Sequence, residues 1–418
     1  MDRSISRREL LKRTALGALA FGAAPPLLMR RGLLGAEAAA AAEPAGPWSF
    51  GVMGDTQWTC PRDPAGRNPN TVAVSIIDQI NREFIKARVK FVIQVGDLTN
   101  NGRDESVARR ADAARALHKA GIGFFPMRGN HETFSGGRNG FGVAAFQRSF
   151  PQTRGRRDVF GAENFSSPTD VSAELDGMSY SFDYGPAGAT ARFVIIDNWA
   201  TPKCVGEGAT GLYGYTVAEQ QEWISGRLAR PAGNARHQFV LSHQSLIGAS
   251  HQDCVFSGYT DEVPKVQNAF FAGLQKNGVP LYISGHDHIH YRTRITSPDG
   301  RSAVEQLICA SNSSKFYTPQ PPDDPDWYGQ KAREKLISQQ TRVIGYYIFT
   351  VNGPRITVDY YADDHAHWRS GIDYPDPDLP NQVTPPFRFA KKETWRYGPA
   401  AQSLLDRILT RQLQTATA

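Results

Sequence analysis

Cysteine is scarce in this chain, and long apolar runs are missing after the first 42 residues. The 418 residues include four cysteines with no C-x-x-C pair among them, which excludes a zinc ribbon. Walker A, G-x-S-x-G and H-E-x-x-H sequences are also missing, and GEGATG (206–211) does not open a helix directly after a strand, so we interpret it as a loop. We expect no transmembrane anchor in the mature chain.

Positive charge is small outside the first residues. The formal net charge is +6, but residues 1–42 hold seven basic and three acidic residues and so carry +4 of it. We therefore expect no specific nucleic-acid binding. A hydrophobic share of 40% and an aromatic share of 11% are typical of a folded globule with a sizeable core.

The first 42 residues have the composition of an export signal. Arg7 and Arg8 precede an Ala- and Gly-rich stretch that Pro25 and Pro26 interrupt, and GAEAAAAA then supplies the small residues of a cleavage site. The sequence RRELLK resembles a twin-arginine signal, which implies export by the twin-arginine machinery to the periplasm, the cell wall or the exterior. A basic amphipathic helix and an uncleaved anchor are the alternatives.

The cysteines bear on the disulfide state of an exported protein. An oxidising destination permits disulfides. Cys204 and Cys254 both lie in loop-like sequence, so we favour that pair. Cys309 lies within the apolar EQLICA, where we expect a buried free thiol.

After the leader, predicted strands and helices alternate. Three short apolar runs predict buried strands at 48–54, 90–96 and 122–129. Two stretches with helical spacing of apolar residues, at 70–89 and 105–121, separate them. This βαβαβ order predicts partly parallel pairing with helices on the sheet faces. A hairpin formed by 179–185 and 191–198 follows. Two helices, at 216–229 and 262–276, and two strands, at 237–244 and 279–288, then alternate. Four more strands within 291–361 predict a second sheet packed on the first.

Residues 363–418 form the last predicted segment, after a domain that spans 43–362. The segment is rich in Pro and Asp up to residue 398, and AQSLLDRILTRQL (401–413) has the spacing of an amphipathic helix. We expect this tail to pack on the preceding domain. Its scattered aromatic residues either hold it there or form a sugar- or lipid-binding surface.

The sequence SGHDHIH places three histidines on alternate positions. His286, His288 and His290 occupy them in a chain with only 10 histidines. Alternate residues of an extended segment share a face. The pattern indicates either a polar strand end or rings that converge on a metal, because imidazole is the commonest metal ligand.

Polar side chains follow the predicted strands where each strand ends. The fragments GDTQ, GDLTN, GNHE, SHQ and GHDH supply Asp55, Gln57, Asp97, Asn130, His131, Glu132, His243, His286 and His288. Ligands in open α/β sheets gather at the carboxyl ends of strands, so we expect these loops to meet. Glycine ahead of a ligand permits a tight turn and a close backbone approach. Each fragment alone is weak evidence, but five in this order indicate a metal site.

This series resembles the calcineurin-like metallophosphoesterase superfamily over roughly residues 48–361. The resemblance implies a four-layer αββα sandwich, in which two packed mixed β-sheets are flanked by helices, and a dinuclear metal centre. One metal would be held by Asp55, Gln57, Asp97 and His288. The other would be held by Asp97, Asn130, His243 and His286, with Asp97 bridging. Such mixed ligands suit two transition-metal ions, either Fe, Mn or Zn.

The resemblance also implies a reaction. The chain would hydrolyse phosphoric esters by attack of a metal-bridged hydroxide on phosphorus, with Asp97 and His131 as catalytic residues. His131 would protonate the leaving alkoxide or position the phosphate together with Asn130. The substrate would be a phosphomonoester or phosphodiester of a small molecule, lipid or nucleotide. His251 either lines the substrate cleft or lies on the surface, and His290 is expected outside the ligand set.

Gln57 departs from the D-x-H motif that is usual in this family. An amide oxygen is a weaker ligand than an imidazole, so the first metal would be held loosely, or Gln57 would hold a water instead. The departure leaves a second interpretation open, in which the protein is non-catalytic and binds metal or phosphate through a weakened first site.

Overall fold

The computed structural model describes residues 46–57, 69–100, 102–133, 142–198, 217–229, 236–252, 254–256, 263–313, 315–321, 329–363 and 387–398. The chain divides into two compact units, Met1–Glu43 and Pro44–Ala418. All described residues lie in the second unit. The predicted leader, Cys60, Cys204, the GEGATG loop and the predicted helix over 401–413 lie outside the described residues.

Fourteen strands and six helices are formed by the described residues. The strands are β1 (Trp48–Met53), β2 (Phe91–Gln94), β3 (Gly123–Pro126), β4 (Glu163–Ser166), β5 (Tyr180–Tyr184), β6 (Ala191–Ile196), β7 (His237–Ser242), β8 (Tyr282–Ser284), β9 (His290–Thr296), β10 (Ala303–Ile308), β11 (Glu334–Gln340), β12 (Gly345–Asn352), β13 (Arg355–Asp363) and β14 (Phe389–Tyr397). The helices are α1 (Pro69–Ala87), α2 (Asp104–Ala113), α3 (Arg115–Lys119), α4 (Val143–Ser149), α5 (Val217–Ala229) and α6 (Val263–Lys276). None of these helices combines the length and the apolar character that crossing a bilayer requires.

The strands form two mixed sheets. The first has six strands in the order β14-β13-β12-β1-β2-β3, with β1, β2 and β3 parallel and β12 antiparallel to β1. The second has eight strands in the order β11-β9-β10-β8-β7-β6-β5-β4, with β6, β7, β8 and β10 parallel. In each sheet, the carboxyl ends of the parallel strands therefore lie at the same edge.

Three apolar cores hold the layers together. Between the sheets, the Phe50 ring lies 4.8 Å from that of Phe349 in its own sheet and 5.0 Å from that of Phe193 in the other. A second core packs α1 on the outer face of the first sheet, and a third packs α5 and α6 on the outer face of the second. The predicted four-layer αββα sandwich is confirmed. Strands covered on both faces read as continuous apolar runs, which is why β1 and β2 were recognisable in the sequence.

Several boundaries differ from the predictions. The helix predicted over 105–121 is two helices, because the Ala114 N–H donates to the Ala111 carbonyl three residues earlier and tightens the turn between them. The later strands do not form a separate sheet: β9, β10 and β11 complete the second sheet, whereas β12 and β13 return to the first. Within the predicted tail, β14 joins the first sheet beside β13.

Candidate metal centre

Asp55 follows β1 and is completely buried. Its Oδ1 accepts a hydrogen bond from the His286 N–H at 2.9 Å, and the His288 Nε2 lies 3.7 Å from the same oxygen. Its Oδ2 has no hydrogen-bond partner among the described residues. Burial, and then the Asp97 charge, raises the pKa of Asp55 well above its usual value. A buried carboxylate oxygen without a donor is costly, so a cation at this position would stabilise it.

Asp97 follows β2 and lies between the other predicted ligands. Its Oδ1 accepts from the His131 N–H at 3.0 Å and lies 3.4 Å from the His243 Nε2, and its Oδ2 accepts from the Gln57 Nε2 at 3.1 Å. Burial raises the pKa of Asp97, but the neighbouring histidines, His243 first, outweigh it and lower the pKa overall. Asp97 is therefore an ionised carboxylate at the centre of the site.

Two groups of buried donor atoms meet at this carboxylate. One consists of Asp97, His243 and His286, and the other of Asp55, Asp97 and His288; within each group the donor atoms lie within 4.8 Å of one another. Asp97 belongs to both. Each group contains three of the four residues that the family resemblance implied for one ion; Gln57 and Asn130 are the remaining two.

The histidine protons point away from the groups. The His243 Nδ1 donates to the Val95 carbonyl at 2.8 Å, and the His288 Nδ1 donates to the Lys315 carbonyl at 2.9 Å. Because a carbonyl can only accept, Nδ1 carries the proton, and Nε2 of each neutral ring keeps its lone pair. Burial lowers the pKa of His243 to about 4 and that of His288 well below its usual value. Neutral imidazoles fixed by a bond at the other nitrogen are the form that binds metals.

Acceptor atoms face one another around His243. Its Nε2 lone pair lies 3.0 Å from the Asn130 Oδ1 and 3.4 Å from the Asp97 Oδ1. Three electron-rich atoms without a proton between them repel each other unless a cation lies among them. The residues present therefore fit a metal ion. The Gln57 amide also faces Asp97, and a half-turn of that amide would direct its oxygen to the same side.

The backbone is shaped to bring these side chains together. Four predicted ligands, Gln57, Asp97, His286 and His288, have positive φ angles between 41° and 72°. Such conformations are costly for residues other than glycine and cluster at functional sites. At Gly129 a Cβ atom would lie 2.0 Å from the Asp97 Oδ1, so only glycine permits this approach.

Glu132 links the loops that carry Asp97 and Asn130. It is buried, and its carboxylate accepts from the Thr99 N–H and hydroxyl and from the Gly129 N–H, at 2.8 to 3.0 Å. Burial, and then the Asp97 charge, raises the pKa of Glu132 to about 8. The acid of the GNHE motif therefore ties two strand ends together, a role that its position after Asn130 and His131 did not indicate.

His131 lies beside the shared carboxylate. Its Nδ1 donates to the Asn100 carbonyl at 2.8 Å, and its Nε2 lies 3.9 Å from the Asp97 Oδ2 and 3.4 Å from the Lys315 Nζ. Burial is the main cause that lowers the pKa of His131. Lys315 was not predicted from the sequence, because no strand end or motif includes it.

His251 lies beside the predicted ligands, whereas His290 packs between the two sheets. The His251 ring packs 4.4 Å from the His286 ring, and its Nδ1 lies 2.6 Å from the Oδ1 of the buried Asp287. His251 therefore borders the predicted ligands, and its side chain is 31% exposed. The His290 ring instead stacks on Tyr360 at 4.0 Å and contacts the Tyr347 hydroxyl, within the seam between the sheets.

Comparison with solved structures finds similar chains at low sequence identity. GAP50, the anchor in the inner membrane complex of Plasmodium, is 12% identical with a TM-score of 0.45, over 78% of this chain and 86% of that one. The purple acid phosphatase PPD1 from yellow lupin (Lupinus luteus) seeds is 13% identical with a TM-score of 0.49, over 85% and 54%. A dimetal phosphatase from Danio rerio is 15% identical with a TM-score of 0.43, over 76% and 96%.

Sequence comparison gives the family. No curated protein matches the chain. A sequence model of the calcineurin-like phosphoesterases matches residues 49–290, more than half of the chain and the stretch that holds every predicted ligand. The chain belongs to the calcineurin-like phosphoesterase family.

Proposed function

We propose that this protein is an exported hydrolase of phosphoric esters that works with two transition-metal ions. The observation that carries the proposal is the shared Asp97 carboxylate, which belongs to both groups of buried donor atoms. Asp55, Gln57 and His288 would complete one site, and Asn130, His243 and His286 the other. When bound, such ions activate water and offset the charge of the phosphate oxygens. Export rests on the arginine pair at residues 7 and 8.

Protein side chains have separate tasks in this proposal. The ionised Asp97 offsets positive charge between the two sites, the Asn130 amide orients the phosphoryl group beside it, and His131 accepts from the Lys315 ammonium group and holds it in place. With Nδ1 bonded to the Asn100 carbonyl, the neutral His131 ring presents an acceptor at Nε2 and not a proton. This arrangement favours a positioning role for His131 over the role of acid for the leaving alkoxide.

A screen of purified protein tests the function. The protein is reconstituted with Mn, Fe or Zn and assayed on nitrophenyl monoester and diester substrates, and its metal content is measured by elemental analysis. We expect about two ions per chain and turnover of at least one ester. Asp97→Ala should lose both ions and the activity, whereas Asp104→Ala, at an exposed position of α2, should keep them.

The outcomes separate the candidate functions. No metal uptake and no turnover would refute the proposal. Two ions and phosphate binding without turnover on any ester would instead support a non-catalytic binding protein. In the structure the Gln57 amide nitrogen, not its oxygen, faces Asp97. If this amide holds no ion, the first site is weakened and the non-catalytic function is favoured.

A further inference from the structure

Lys315 is built into the metal centre through its backbone. Its carbonyl accepts from the His288 Nδ1 at 2.9 Å and from the Ser311 hydroxyl at 2.7 Å. Further along the same segment, the Gln320 N–H donates to the Ala249 carbonyl at 3.0 Å, and the Thr318 carbonyl accepts from Ser250. Residues 315–321, which we call the Lys315 segment, are therefore held against the site at both ends.

The Lys315 side chain reaches across the site to His131. Its Nζ lies 3.4 Å from the His131 Nε2, and that nitrogen lies 3.9 Å from the Asp97 Oδ2. Since the His131 Nδ1 donates to the Asn100 carbonyl, Nε2 must accept, and Lys315 is the donor in this contact. The ammonium group therefore contacts the imidazole nitrogen that lies 3.9 Å from the carboxylate shared by both donor groups.

The Tyr317 ring supports this placement. The Lys315 Nζ lies 5.7 Å from the centre of that ring, within the range of a cation–π contact. The ring also packs nearly perpendicular to those of His251 and His288, with ring centres 4.6 Å and 5.3 Å apart. Tyr317 thus packs against His251 and His288 as well as Lys315.

We propose that Lys315 anchors a non-bridging phosphoryl oxygen of the substrate and makes the site prefer phosphomonoesters to phosphodiesters. The inference rests on the proposed function and deepens it, because it names the substrate class. A phosphomonoester is a dianion near neutral pH, whereas a phosphodiester carries one charge. Coulomb attraction to a fixed cation scales with that charge, so a monoester gains more from Lys315.

Shape supports the same preference. A monoester directs three non-bridging oxygens away from its leaving group, and each can accept from an ammonium group. In a diester, the second ester group takes the place of one of them. An ester oxygen with its carbon substituent would meet the Lys315 and His131 corner without a comparable hydrogen bond, so the lysine would add less to diester binding.

Two variants and a matched control test the proposal. Lys315→Gln removes the charge and keeps the backbone carbonyl that orients His288, Lys315→Arg keeps the charge, and Lys276→Gln removes a charge in the last turn of α6. Each metal-loaded protein is assayed on para-nitrophenyl phosphate and bis(para-nitrophenyl) phosphate. Binding of inorganic phosphate is measured by calorimetry, and metal content by elemental analysis.

Lys315→Gln should lower kcat/KM for the monoester about 10- to 100-fold and weaken phosphate binding by a similar factor, with unchanged metal content. The diester value should fall less than about 5-fold by the same reasoning. Lys315→Arg should retain most of the preference, and Lys276→Gln all of it.

Equal losses on both esters, a wild-type preference for the diester, or unchanged phosphate binding in Lys315→Gln would each overturn the proposal. If the wild-type protein hydrolyses neither ester, the proposed function has failed, and the phosphate titration alone decides whether Lys315 anchors phosphate.

Discussion

Arg128 and Asp197 form a buried ion pair between the two sheets, and Arg128 lies two residues before the predicted ligand Asn130. Arg128 follows β3 and precedes Gly129, whereas Asp197 follows β6. Two hydrogen bonds join them, at 2.8 Å from Nε and 3.0 Å from Nη2, and both side chains are 0% exposed. We predict that Asp197→Asn, which keeps the volume and removes the charge, lowers both the stability and the metal content of the protein.

The expected loss follows from burial. Removing one partner of a buried pair leaves the other charge without its counter-charge and costs about 3–5 kcal/mol. Total stabilities are typically about 5–15 kcal/mol, so this is a large fraction. Because Arg128 leads into the loop that carries Asn130, a shift of the guanidinium should also displace that ligand. Metal content should therefore fall below that of the parent protein.

A second pair in the structure provides the matched control. Arg192 and Asp183 are also 0% exposed and joined by two hydrogen bonds, at 2.6 and 2.7 Å, but they are cross-strand neighbours on β5 and β6 within one sheet. Asp183→Asn should cost similar stability and leave the metal content unchanged. Urea unfolding and elemental analysis of both variants give the comparison. Equal metal content in the two variants, or an Asp197→Asn protein as stable as the parent, would refute the reasoning.

Metal affinity, export and acid sensitivity each depend on a small part of the chain. Gln57→His should tighten the first metal and Gln57→Ala should loosen it, because imidazole binds borderline metals better than an amide; identical metal titrations would show that Gln57 is no ligand. Replacing Arg7 and Arg8 by Lys should retain the precursor in the cytoplasm on fractionation, whereas unchanged export would favour the general secretory route. Stability should fall as the pH drops through about 6.5, because burial lowers the pKa of His237 and the unfolded chain takes up the proton first. Between about pH 7.5 and 5.5, the urea midpoint of His237→Gln should fall less than that of the parent protein. An equal fall in both proteins would contradict the assignment to His237.

The residues that meet at the candidate metal centre could be predicted from the sequence because local rules govern their placement. Asp55, Asp97 and Asn130 each follow a short apolar run and a glycine, and parallel strands place their carboxyl ends at one edge of a sheet. The order of the runs along the chain then predicts that the loops meet. The described structure brings these residues together with His243, His286 and His288.

Other parts of the site depend on contacts between distant segments. Lys315 reaches His131 because its own carbonyl is hydrogen-bonded to His288. No feature of the sequence SNSSKFY predicts either contact. The edge strands β11 and β14 were missed for a related reason. Both are polar and partly exposed, so they lack the apolar run or the alternation that predicts a strand, and their pairing partners stabilise them.

The metal centre depends on how the two sheets pack. Each group of donor atoms combines an aspartate after β1 or β2 with a histidine after β7 or β8, so neither sheet holds a complete group by itself. Arg128 and Asp197 join the sheets on one side of the centre. On another side the Tyr347 hydroxyl of β12 contacts the His290 Nδ1 at 2.9 Å and accepts from the Ala310 N–H. A shift between the sheets would separate the donors, so metal binding and sheet packing should stabilise each other.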